Sequence, residues 1–206
     1  MTLSNPLRAG IFAILAVVMT ATRVNHFAAL PDASWAVFFI GGFYLGGSNT
    51  AISRFAFPLL LALAVLIDYI VISSSGISFW SHYCVSPAYW FLAPAYYALW
   101  IGGRLLRRFR VGIGARDLAV LGAVLVAAAS VSYLISNGSF YWLSDSWLTA
   151  GGTRSLGGWI ENLGDWYLPY LRTTAIYVGI GAALHVVTTL AARSIGAAPA
   201  ADPLVR

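Results

Sequence analysis

The chain has 206 residues, of which 60% are hydrophobic and 9% charged, with a net charge of +5. A soluble domain carries roughly 25% charged residues, so a chain this poor in charge cannot cover a water-facing surface. Its basic residues are all Arg and gather at the ends of apolar segments, the pattern of membrane topology signals and not of a nucleic-acid-binding stripe.

A membrane-spanning helix takes about 20 mainly apolar residues. Six segments meet or approach that length: residues 7–26, 35–49, 55–73, 87–106, 117–135 and 168–192. The first follows a single Arg and has some features of a signal peptide, but its apolar stretch continues the pattern of the later segments, so it is expected to be retained. The second is short and holds two glycine pairs, Gly41-Gly42 and Gly46-Gly47. The third contains Asp68, the only acidic residue in the interior of a predicted span. The fourth opens at Pro87, which suits the first turn of a helix because its missing N–H had no partner there. No segment alternates as a barrel strand does, and backbone groups in lipid must be satisfied internally. The expected fold is therefore all-α: a single integral membrane domain over residues 1–206, a polytopic bundle of six transmembrane helices. The Ala/Pro-rich tail, 197–206, is expected to fray.

Arg placement gives the orientation. With the N-terminus inside, Arg8, Arg54, Arg104, Arg107, Arg108, Arg110, Arg116, Arg193 and Arg206 fall on the cytoplasmic side, against Arg23, Arg154 and Arg172 outside. That asymmetry predicts an N-in, C-in multi-pass protein of the cytoplasmic membrane. Three connections then face outward: one around Pro31-Asp32, one over 74–86 and a long one over 136–166. The last carries Phe140, Tyr141, Trp142, Trp147, Trp159 and Trp166, a surface suited to interfacial anchoring or to covering an outward site.

The densest chemistry lies at residues 79–90, FWSHYCVSPAYW, which bring together His82, Tyr83, Cys84, Tyr89 and Trp90 near the outer mouth. Cys84 is the only cysteine, so neither an intramolecular disulfide nor a multi-cysteine zinc site is possible. It reads either as a small apolar filler or as a soft thiolate ligand for a metal or metal-containing cofactor. Asp68 lies about 8 Å below the outer end of its helix at 1.5 Å per residue. It reads either as the ion-pair partner of Arg23 or Arg172, or as a hydrogen-bonding group for a polar ligand. The spacings Gly42-x-x-x-Gly46 and Ala9-x-x-x-Ala13 read first as helix-packing contacts.

Histidine tests a different class. A b-type haem takes His as an axial ligand, often two, and the only pair at matching depth is His26 with His82. This gives the alternative of a haem-binding membrane redox protein. His185 lies about 20 Å deeper by helix rise, which weakens a Cys84–His185 catalytic pair of the kind a membrane cysteine hydrolase needs.

In size, six spans and the outer segment HYCVSPAYW with its single Cys, the chain resembles the BtuM family. These are the cobalamin-specific, solitary S-components of energy-coupling-factor (ECF) vitamin transporters. The specific part of the resemblance is short: Cys84 followed by Pro87 and Tyr89, with Asp68 in the preceding helix. The resemblance implies a vitamin B12 transport component that binds the corrinoid from the outer face. It implies Cys84 as axial cobalt ligand in place of the nucleotide base or cyanide, with possible cysteine-dependent decyanation. Asp68 and Tyr89 match polar residues expected around the corrin. His82, Tyr83, Trp90, Tyr141 and Trp142 are the further candidates for an aromatic, donor-bearing binding mouth. The resemblance also implies docking on an ECF coupling subunit through small residues of the first helix, here Ala9 and Ala13.

Overall fold

The structure, a computed structural model, describes residues 3–24, 31–47, 50–109, 112–144 and 153–196. Among these there is no strand. Six α-helices follow in order: α1 (Asn5–Arg23), α2 (Ser34–Leu45), α3 (Ala51–Ser74), α4 (Leu92–Arg108), α5 (Ala115–Leu143) and α6 (Leu156–Gly196). The expected all-helical fold is observed. Four of the helices, α1, α3, α5 and α6, are long and apolar enough to cross a membrane. Side chains such as Ile14, Val17, Ile180 and Leu184 lie more than half exposed on the outer surface, a jacket suited to lipid and not to water. The chain is thus a multi-pass membrane protein.

The helix ends follow from local chemistry. Pro6 sits in the first turn of α1. Thr50 Oγ1 accepts from the Ser53 N–H to open α3. Asp117 accepts from the Gly114 N–H at the start of α5, and Ser155 Oγ from the Gly158 N–H at the start of α6. The chain leaves α3 through Gly76, whose φ of 76° is the left-handed conformation that glycine adopts without steric cost. Two 3₁₀ turns, Phe79–Ser81 and Pro87–Phe91, then carry it to α4.

α2 is the hub. Its 12 residues span about 18 Å, short of the roughly 30 Å hydrocarbon core. It is buried nearly all round, with Ser34, Ala36, Val37, Phe38, Phe39, Gly41, Gly42 and Leu45 out of contact with the surroundings. Gly42 faces the backbone of Trp100, and Gly103 of α4 faces the backbone of Phe39 and Phe43. The packing role expected of Gly42 and Gly46 is therefore met by α4, with the Arg104 stem lying over Gly46. Ala9 and Ala13 instead lie on an exposed face of α1.

One boundary is corrected. Residues 136–166 are not a long loop, because α5 runs on to Leu143 and α6 begins at Leu156. Hydropathy falls where polar and aromatic residues enter, but helix periodicity continues. The two extensions brace each other, with Tyr133 Oη donating to the Leu163 carbonyl at 3.0 Å and Tyr141 Oη to the Ser155 carbonyl at 2.9 Å. Arg154 turns back to donate to the Tyr141 and Ser144 carbonyls, a cation on the C-terminal end of α5. Trp147, His26 and the tail 197–206 lie outside the described residues.

Candidate functional site

The end of the bundle that holds the α2 N-terminus carries a buried polar network. Arg23, at the end of α1, is only 4% exposed. Its guanidinium holds Asp68 in a two-pronged pair, Nε to Oδ1 at 2.7 Å and Nη2 to Oδ2 at 2.6 Å. Nη1 donates to Asp32 Oδ2 at 2.9 Å, Tyr96 Oη at 3.0 Å and Ser34 Oγ at 3.1 Å. Tyr89 Oη donates to Asp68 Oδ2 at 2.7 Å. Asp32 Oδ1 accepts from both the Ser34 N–H and its hydroxyl, closing the first turn of α2 with a carboxylate where the helix dipole favours one. One cation thus serves two carboxylates, and a planar fork of five N–H donors suits that task as an ammonium would not. Of the two ion-pair partners open to Asp68, the structure uses Arg23. Arg172 is exposed.

The Cys84 connection sits directly on this network. Tyr89, in the second 3₁₀ turn, is buried against Asp68, while Tyr83 and Trp90 are exposed. Cys84 is half-buried, and its N–H donates to His82 Nδ1 at 3.3 Å. The His82 and Tyr83 rings stand 4.6 Å apart. Burial pushes the Cys84 thiol above its ordinary pKa, and the charge of Asp68 adds to this. A hydrogen bond with Tyr83 and the charge of Arg23 pull the other way. A raised pKa keeps the group protonated at neutral pH, so alkylation of Cys84 by iodoacetamide should be slow at pH 7. It should climb with a midpoint above the roughly 8.5 of a free thiol. A midpoint at or below that value, read from a pH series of labelling rates, would contradict this environment.

Beside the network opens a cavity of about 640 Å³, within the size range of small-molecule sites. α5 and α6 supply Tyr133, Asn137, Asn162 and Tyr170, and the start of α2 supplies Asp32 and Trp35. Asp32 is thus shared: it lines the cavity and anchors Arg23, which holds Asp68, which receives Tyr89, five residues after Cys84. A continuous chain of hydrogen bonds thus joins the thiol's connection to the cavity wall. Of the other two aromatic candidates, Tyr141 lines the cavity but spends its hydroxyl on Ser155. Trp142 packs edge-on against Tyr141 and Trp159.

No protein-family model matches the chain, and no curated protein matches it.

The site therefore divides into two groups. Asp68, His82, Tyr83, Cys84, Tyr89 and Trp90 form one, built on α3 and the connection to α4. Tyr141 and Trp142 belong to the other, at the α5–α6 end of the cavity. Sequence reasoning missed Asp32, Tyr96, Asn137 and Asn162 as site members. Tyr133 and Asn137, spaced i,i+4 on one face of α5, were the available signal. His185 is bonded to Tyr44 at 2.8 Å, at the opposite end of α2 from the network, which separates it from Cys84. Among the described residues no three His, Cys, Asp or Glu side chains cluster to hold a metal ion. Cys84 can supply one bond to a metal that brings its other ligands with it.

Proposed function

We propose that this protein is a membrane transport component that binds cobalamin from the outer face, with Cys84 as an axial ligand to cobalt, for uptake across the cytoplasmic membrane. The observation that carries the reading is Cys84 itself: a lone, half-buried thiol on an aromatic connection that is tied through Tyr89, Asp68, Arg23 and Asp32 to the rim of the cavity. A bare ion needs several protein ligands, whereas a cobalt already ringed by corrin nitrogens needs only an axial one, and a soft thiolate suits it. The corrin is a broad, partly apolar ring fringed with amides, matched by aromatic walls and scattered donors. The resemblance of HYCVSPAYW to the BtuM family supports the same ligand.

In this reading the six apolar segments all lie within the membrane, N-in and C-in, and the mouth faces the exterior or periplasm. Ala9 and Ala13, exposed on α1, are the surface for an ECF coupling subunit. Ligand exchange is balanced: the Cys84 thiol loses its proton, the sulfur–cobalt bond forms as the cobalt–cyanide bond breaks, and cyanide leaves as HCN. Cobalt does not change oxidation state in that exchange.

The protein purified after growth with cobalamin should be coloured and show a thiolate-type cobalt absorption spectrum. Cys84→Ala should abolish that spectrum. A bound spectrum unchanged by Cys84→Ala overturns the ligand assignment, and protein that takes up no corrinoid overturns the function.

A further inference from the structure

The side-chain amides that line the cavity are oriented by a relay. Trp159 Nε1 donates to Asn137 Oδ1 at 3.2 Å. An indole N–H can only donate, so this contact fixes which end of Asn137 is oxygen. The Asn137 Nδ2 must then point the other way, and it donates to Asn162 Oδ1 at 2.7 Å and to Tyr133 Oη at 3.3 Å. Tyr133 in turn donates to the Leu163 carbonyl at 3.0 Å, so its hydroxyl proton is also in use. Asn162 therefore has its oxygen occupied and its Nδ2 left over, with no partner among the described residues and with the cavity beside it.

We infer that Asn162 is a specificity-determining donor, held by the Trp159–Asn137 relay to receive a carbonyl oxygen from the rim of the bound ligand. This rests on the corrinoid reading above, whose rim carries primary amides. The relay gives the site a polarity: residue 162 offers N–H and not oxygen. A site built to hydrogen-bond one end of a substrate group discriminates strongly against a partner that leaves its polar atom unmatched. Trp159 touches no ligand in this scheme and acts as a positioning residue. Without its N–H, Asn137 and then Asn162 can turn over and present oxygen to the cavity.

The test uses the full-length protein in lipid nanodiscs. The probes are cyanocobalamin and its monocarboxylic acids, each with one side-chain amide hydrolysed. Asn162→Leu should weaken cyanocobalamin about tenfold, with the cobalt–sulfur absorption at saturation unchanged. Asn162→Asp should accept an amide, which can turn its own N–H toward the new carboxylate, but should repel an acid at the same place. For one monocarboxylic isomer, then, Asn162→Asp should lose at least a further tenfold over its loss for cyanocobalamin. Trp159→Phe should weaken cyanocobalamin by a smaller factor in the same direction. A purely packing role would move all isomers equally, and that result overturns the assignment, as does an Asn162→Leu variant of unchanged affinity. Wild-type protein that binds none of the probes overturns the function and this inference together.

Discussion

Arg23→Met should destabilise the fold by about 3–5 kcal/mol, the usual cost of removing one partner from a buried ion pair. The reason lies in what remains. Asp68 would stay buried beside the half-buried Asp32 with no cation between them, and Tyr96 and Ser34 would lose their donor. Thermal unfolding in detergent, followed by circular dichroism, measures the loss. The double variant Arg23→Met/Asp68→Asn should recover part of it, because one stranded carboxylate is then neutral and can still accept from Tyr89. A single variant within 1 kcal/mol of wild type, or a double variant less stable than the single, would show that the network is solvated and not structural. Function should suffer too, since the same guanidinium ties the Tyr89 turn below Cys84 to the cavity wall at Asp32.

The network also shows which parts of the site could be read from the chain. Asp68 was legible because an acid inside an apolar run must find a partner, and Arg23 stood at the right end of another segment. Asp32 and Tyr96 were not. Tyr96 meets Arg23 from 73 positions away, and nothing in its apolar surroundings signals that its hydroxyl is engaged. The helical class was legible because apolar length and backbone satisfaction leave few alternatives. The reach of α5 and α6 was not, since hydropathy reports where lipid ends and not where a helix ends. Asn137 and Asn162 fall in that blind region, 25 positions apart, and their pairing exists only because the two extensions lie side by side. Cys84 was visible as the single cysteine. Its environment was not, because the burial that raises its pKa comes from turns that composition does not predict.

Gly103→Val should disrupt the bundle more than a typical overpacking change, which costs about 1–3 kcal/mol. A Cβ on Gly103 would run into the Phe39 carbonyl and lie 2.6 Å from the Phe43 nitrogen and 3.0 Å from the Gly42 carbonyl carbon. Those are backbone atoms of a buried helix and cannot swing aside as a flexible side chain would. The contact is reciprocal, because Gly42 faces the Trp100 backbone in the same way, so α2 and α4 touch main chain to main chain. Relief requires the two helices to separate. Separation would pull Phe38 off Tyr96, stacked at 4.3 Å, and would drag Tyr96 from Arg23. A packing change near the middle of the bundle should therefore reach the polar network at its end. Gly122 supplies the control: it is exposed with nothing within 4 Å, so Gly122→Val should leave unfolding close to wild type. Equal unfolding midpoints for the two valine variants would refute the close crossing. A selective loss at Gly103, accompanied by faster labelling of Cys84, would connect the helix crossing to the order of the Cys84 connection.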